Sequence, residues 1–307
     1  ILAKQLQKGI GDYIETTFPM TNEPFRGSLQ NMLKTKGSVY HEPYVAVRLP
    51  FRVMDEMPSC FEAIHPEHLP YVHQQRAFDR LTGNDGRSTL IATGTGSGKT
   101  ECFLYPILEY CYKHSGEPGI KALIIYPMNA LATDQAKRIA KLIYNSLELK
   151  NNVTAGMFVG GREKTPSTRM SETNVITDHE TMRNRAPDIL LTNYKMLVRP
   201  KDAALWKDNT PETLKYIAVD ELHTFDGAQG TDLACLLRRL KSRLWTPGGY
   251  LCCIGTSATM GSKDNSKNIV TYASEIFGEP FEEDAVITED RLTPDEFFSD
   301  KDITDFT

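Results

Sequence analysis

Beyond residue 69 the chain alternates between short apolar runs and longer stretches that suit helices. The apolar runs fall at residues 88–92, 122–126, 153–159, 189–192, 216–219 and 250–255, and most place Ile, Leu, Val or Ala at consecutive positions rather than at every second one. A strand that is apolar on both faces must be covered on both faces. The pattern therefore predicts an α/β domain, with a mostly parallel sheet and helices packed on either side. Residues 265–277 read as a closing helix and 281–291 as the start of an exit linker. The first 68 residues read differently. A helical opening at 1–18 leads into turn-rich sequence with Pro19, Pro24, Gly27 and Gly37, and residues 44–52 suit a short strand. The expected organisation is an N-terminal accessory segment at 1–68, a main domain at 69–280 and a linker at 281–307.

Composition changes this picture little. The chain has 307 residues, 40% hydrophobic and 24% charged, as in ordinary globular proteins. No apolar run approaches the ~20 residues needed to cross a bilayer, and residues 1–18 lack a secretory signal pattern, so a cytoplasmic protein with no membrane partner is expected. Without an initiating Met, and with an acidic stretch at 300–307, the chain reads as a piece of a longer polypeptide. Its six cysteines show no C-x-x-C spacing, which argues against a zinc knuckle or disulfide framework and for small buried thiols. A net charge of -5 argues against coating nucleic acid by bulk attraction. It leaves open a motor that holds the phosphate backbone through helix N-termini and main-chain amides.

The sharpest local signal is Thr93-Gly-Thr-Gly-Ser-Gly-Lys-Thr100, set between a predicted strand and a predicted helix. Glycines there let main-chain N–H groups wrap phosphates, and the helix N-terminus adds a favourable dipole. In this reading Thr95, Gly96, Ser97, Gly98, Lys99 and Thr100 bind ATP. Lys99 sits against the β and γ phosphates, and the Thr100 hydroxyl is a ligand of Mg²⁺. The general pattern wants Gly where this chain has Thr93. The other signal is the strand at 216–219, which ends in Asp220-Glu221-Leu222-His223. Carboxylates at the carboxyl end of a parallel strand face the ligand crevice. Asp220 suits Mg²⁺ coordination, and Glu221 suits orienting and deprotonating an attacking water.

On these residues the chain resembles superfamily-two DExH/DEAD-type helicases over residues 69–291, which implies a RecA-like P-loop domain. Tyr71-Val-His-Gln-Gln-Arg-Ala77 is similar to the family's Q motif, with Gln74 as the implied reader of the adenine. Tyr126-Pro-Met-Asn129 and the residues after it resemble motif Ia, and Val159-Gly-Gly161 the Gly-Gly motif. Leu191-Thr-Asn-Tyr-Lys-Met-Leu197 stands in the place of the next strand-contacting motif. Ser257-Ala-Thr259 matches motif III, which implies that Ser257 and Thr259 couple nucleotide state to domain movement through His223. The stretch from His223 to Leu240 resembles the Hrq/MrfA-type DNA helicases, and the same style of core is known from bacterial anti-phage systems such as DISARM and Druantia. The resemblance implies DNA rather than RNA and 3'-to-5' movement. It also implies a second RecA-like domain with an arginine finger, which this chain lacks, as it lacks the family's C-terminal cysteine cluster.

The resemblance also implies a backbone-tracking surface made by the loops after the intermediate strands. The candidates are Asn129, Gly160, Gly161, Arg162, Thr192, Asn193 and Lys195, with Lys137, Arg138, Lys164 and Arg169 as added attraction. A lone basic residue is more commonly solvated surface. The basic run at 238–243 ends a predicted helix, where it suits either the helix dipole or a DNA contact. Residues 162–186 read as a mobile insertion. The expected function is an ATP-dependent DNA helicase or translocase, of a repair or anti-phage complex with possible protein partners. The alternative is a nucleotide-regulated assembly or recruitment module that uses the accessory segment. A small-molecule kinase has no need of Asp-Glu-Leu-His paired with Ser-Ala-Thr.

Overall fold

The computed structural model describes residues 2–19, 22, 25, 27–35, 37, 48–83, 86–160, 165–196, 200–257 and 266–299. The chain divides into two compact units, residues 1–49 and 50–307. The smaller unit contains α1 (Leu2–Thr17) and α2 (Ser28–Lys34). α2 begins after Gly27, whose φ of 81° is readily available only to glycine. On α1, Leu6, Ile10 and Tyr13 share one face and are exposed.

The larger unit carries α3 (Val72–Leu81), β1 (Thr89–Ala92), α4 (Lys99–Lys113), β2 (Ala122–Ile125), α5 (Asn129–Asn145), β3 (Ala155–Phe158) and α6 (His179–Asn184). It continues with β4 (Ile189–Thr192), β5 (Tyr216–Val219), α7 (Gly227–Leu244), β6 (Cys252–Ser257), α8 (Ser266–Phe277), β7 (Val286–Thr288) and α9 (Pro294–Phe298). The strands form one seven-stranded sheet in the order β3-β4-β2-β5-β6-β1-β7. Every pairing is parallel.

The sheet is buried on both faces, as the apolar runs require. Ala122, Ile124, Tyr216 and Ala218 face a core shared with Phe78, Phe103, Ile107 and Ile139 of α3, α4 and α5. Their strand neighbours Leu123, Ile125, Ile217 and Val219 face a second core with Leu233, Leu237, Ile269 and Phe277 of α7 and α8. At roughly 1.5–3 kcal/mol for each large apolar side chain removed from water, these two layers dominate the fold's favourable energy. The carboxyl ends of β1, β2, β5 and β6 are thereby held side by side at one rim.

Three expectations change in the structure. Residues 286–288, read as linker, form β7 on the outer edge of β1, with Leu90 opposite Val286 and Ala92 opposite Thr288. The strand is three residues long and flanked by acidic residues, so its apolar signal is faint, yet Ala285 and Ile287 are buried. Of the strand expected at 44–52, residues 44–47 lie outside the described residues. Phe51 and Val53 instead make isolated antiparallel bridges with Arg291 and Tyr71. Of residues 162–186, expected to be mobile, 162–164 lie outside the described residues and the rest are tied down. Met157 N donates to Ile176 O at 2.8 Å and Ile176 N to Ala155 O at 3.0 Å, so Ile176 covers the free edge of β3. Asp178 then caps α6 by accepting from Thr181 N.

Cys102, Cys111, Cys252 and Cys253 are buried as expected, but Cys235 is exposed on α7. Burial pushes the thiols of Cys102 and Cys252 up to about 12, so they stay protonated. Among the described residues no helix is long and apolar enough to cross a membrane.

Candidate active site

β1 delivers the chain to the glycine-rich loop expected to bind phosphate, and α4 carries it away. Gly96 (φ 77°) and Gly98 (φ 75°) are left-handed, as a loop that turns its amides inward needs. A Cβ on Gly98 would lie 2.2 Å from Gln74 Nε2. Thr93, the departure from the general motif, is 2% exposed. Its hydroxyl lies 2.6 Å from the Ser97 hydroxyl, which donates to Gly94 O at 2.8 Å. The threonine thus braces the loop from inside, a role glycine has no atoms to fill. On the other side of the loop, His73 Nε2 lies 2.8 Å from Ser97 O.

Lys99 is the first residue of α4, and its side chain is 13% exposed. Its Nζ has no hydrogen-bond partner among the described residues. The nearest countercharge is Glu221 Oε1 at 3.7 Å. A nearly buried ammonium without an acceptor is costly unless an anion joins it. Thr100 follows on the first turn of α4 and is half-buried.

β5 brings the carboxylates to the same place. Asp220 N donates to Ile125 O at 2.9 Å, extending the sheet by one residue before the chain turns. Thr256 on β6, which the sequence reading missed, organises the pair. Its hydroxyl donates to Asp220 Oδ1 and accepts from Glu221 N at 3.1 Å. Burial pushes the Asp220 carboxyl above its ordinary value. The Thr256 hydrogen bond opposes this, Glu221 adds to it, and Lys99 works against it. Glu221 itself is left-handed at φ 50°, a conformation that costs a non-glycine residue on the order of 1 kcal/mol or more. The strained turn aims its carboxylate at Lys99. His223 Nδ1 lies 2.9 Å from Ser257 Oγ and 3.4 Å from Glu221 Oε2. Thr259, the other expected coupling residue, lies outside the described residues.

Gln74, expected to read a base, is engaged within the protein. Its Oε1 accepts from Tyr71 N at 2.9 Å, capping α3, and its Nε2 approaches Gly98 O at 3.3 Å. These groups open into a cleft of about 1520 Å³ lined by Tyr71, Gln74, Thr95, Gly98, Lys99 and Glu221. Among the described residues no cluster of three His, Cys, Asp or Glu could hold a metal by itself. Any cation here shares its coordination with a ligand, and a hydroxyl plus a carboxylate are the hard oxygen donors that Mg²⁺ prefers alongside phosphate.

The expected nucleic-acid residues divide. Asn193 Nδ2 donates to Asn129 Oδ1 at 2.6 Å and Asn129 Nδ2 to Gly160 O at 3.2 Å, which ties together the loops after β2, β3 and β4. Lys195 projects over the Tyr194 ring. Thr192 is 1% exposed and donates to Phe158 O at 2.5 Å, so its side chain holds β4 to β3 rather than facing solvent. Gly161, Arg162 and Lys164 lie outside the described residues. In the basic run at 238–243, Arg238 donates to Glu275 O, and Lys241 pairs with Glu279 at 2.8 Å. Those two cations join α7 to the end of α8.

Comparison with known proteins follows this geometry. The family model described as DEAD/DEAH box helicase matches residues 71–267. The Druantia protein DruE of Escherichia coli is 26% identical over 90% of this chain and 21% of its own length. The ATP-dependent helicase HRQ1 of Saccharomyces cerevisiae is 27% identical over 72% of this chain and 18% of its own. The solved structure of helicase MrfA bound to DNA and AMPPNP aligns with a TM-score of 0.58 at 26% identity, covering 78% of this chain and 31% of that one. The chain thus spans well under half the length of these relatives.

Proposed function

The chain belongs to the DEAD/DEAH box helicase family, and we propose that it is the ATP-binding half of a DNA helicase or translocase motor. One observation carries this reading: Lys99 and Glu221 meet at 3.7 Å beside the half-buried Asp220. A positive anchor and a candidate base thus line one cleft, next to a carboxylate suited to a metal that Thr256 ties to the same turn. In ATP hydrolysis the chain's residues have separable tasks. Main-chain N–H groups of the first turn of α4 lack intrahelical acceptors and are available to phosphate oxygens. Lys99 neutralises charge on the β and γ phosphates. Thr100 and Asp220 would hold Mg²⁺, which supplies further neutralisation of developing charge. Glu221 orients the attacking water and accepts its proton, and His223 with Ser257 links that carboxylate to the end of β6.

The DNA assignment draws on the resemblance to MrfA, solved with DNA bound. The α5 N-terminus and the Asn129–Asn193 pair form the surface on which we place a phosphate backbone. A second RecA-like domain would close over the cleft, and the likeness to DruE supports a role in a cytoplasmic anti-phage complex. ATP turnover of the complete polypeptide, with and without single-stranded DNA, tests the proposal. DNA-stimulated turnover that collapses in Glu221→Gln, with nucleotide binding retained, is the expected result. Turnover indifferent to Glu221→Gln would instead favour a module that binds nucleotide only to regulate assembly.

A further inference from the structure

Resting on the ATP-site reading, we infer that Glu289, at the end of β7, is a positioning residue that clamps the phosphate loop at Gly94. β7 runs parallel to β1, with Ala92 opposite Thr288, and Leu90 N donates to Ala285 O at 2.8 Å. Bonds along a parallel ladder recur at every second residue. After Leu90 and Ala92 the next donor is therefore Gly94 N, and its regular acceptor would be the main-chain carbonyl of Glu289. The side chain takes that place instead: Gly94 N donates to Glu289 Oε2 at 2.8 Å. The backbone of the departing chain is by then engaged elsewhere. Arg52 N donates to Asp290 O at 2.9 Å, and Leu292 N to Pro50 O at 3.1 Å. The carboxylate extends the ladder by one rung where the backbone has left it, so the loop peels from the sheet with its first amide satisfied.

That rung bears on the whole first half of the loop. Gly94 O accepts from Ser97 Oγ, and Ser97 O meets His73, so the segment is gripped by Glu289 at its start and by α3 at its middle. A carboxylate near a triphosphate would ordinarily weaken binding, and here its charge is balanced. Arg291 Nε donates to Glu289 Oε1 at 2.8 Å, and the Arg291 guanidinium stacks 3.9 Å from the Phe51 ring centre. Glu289 lies where the chain leaves β7 and crosses to pair with residues 50–52. Its clamp therefore connects that crossing to the glycine-rich loop.

The test uses the complete polypeptide, a fluorescent non-hydrolysable ATP analogue with Mg²⁺, and ATPase kinetics. Glu289→Ala is expected to weaken analogue binding and raise KM by about tenfold, the size of one charge-assisted hydrogen bond, with kcat within about twofold. Glu289→Gln keeps an acceptor oxygen and is expected to recover binding to within about threefold. Single-stranded DNA affinity without nucleotide should stay at its wild-type value in both, and the thermal midpoint should fall by no more than a few degrees. Wild-type binding with Glu289→Ala unaffected would overturn this inference alone, as would a Gln variant no better than Ala. A loss of DNA affinity and thermal midpoint in parallel with nucleotide affinity would reduce Glu289 to a structural brace and also overturn it. Failure of the wild type to bind the analogue would bring down the ATP-site reading together with it.

Discussion

Lys99 carries a charge that the described residues leave largely unanswered: 13% exposed, without a hydrogen bond among them, and 3.7 Å from one carboxylate oxygen. Such a group stabilises the ligand-bound state at the expense of the empty one. Lys99→Ala is accordingly expected to lower nucleotide affinity by at least about tenfold while leaving the nucleotide-free melting temperature unchanged or raised. Calorimetry with and without Mg²⁺-ATP measures both. Asp220 offers a pH-dependent counterpart. Its carboxyl is pushed upward by burial and held back chiefly by Thr256. A carboxyl whose folded pKa exceeds its unfolded value adds stability at low pH, and that contribution is lost as pH rises through the folded value. Metal-nucleotide binding needs the ionised form, so affinity should fall as pH drops through the same value. Thr256→Val removes the opposing hydrogen bond and should move that fall to higher pH. An inflection that does not move upward in the variant would refute the assignment.

The same reasoning at the scale of elements concerns how a loop is shaped by what packs behind it. Gly98 is left-handed, and a Cβ there would collide with Gln74 of α3. Gly98→Ala should cost more than about 1 kcal/mol in stability and strongly reduce nucleotide binding. Adding Gln74→Ala should recover part of the stability by removing the collision, although it also removes the α3 cap, which is worth about 1 kcal/mol. A double-mutant cycle in urea resolves the two effects. β7 completes the edge beside β1 with only three residues, and Ile287 is 5% exposed within the core. Ile287→Ala should cost about 2–4 kcal/mol, read from the shift in the denaturation midpoint.

For the molecule as a whole, the prediction follows from what one motor half contains. The proposed nucleotide site carries Lys99, Asp220 and Glu221, but a finger from a partner domain can add about 10³–10⁵ in rate. The isolated chain should bind ATP, hydrolyse it slowly and unwind no duplex; strong unwinding by this chain alone would contradict the division of labour proposed here. DNA binding by the complete polypeptide should weaken linearly on a log–log plot against salt, as expected when phosphates are held by amides and a few cations.

The local chain patterns were sufficient to locate six of the strands, the glycine-rich loop between β1 and α4 and the Asp220–Glu221 turn, because each rests on contiguous residues: apolar runs, spaced glycines, an acidic pair at a strand end. Only the tertiary structure could show that Thr256 holds both carboxylates, that His73 and Glu289 grip the loop, that Thr192 faces inward, and that residues 286–288 belong to the sheet. Those features depend on which distant segments the strand order brings side by side. Hydrogen bonds between residues far apart in the chain leave no periodic trace in it.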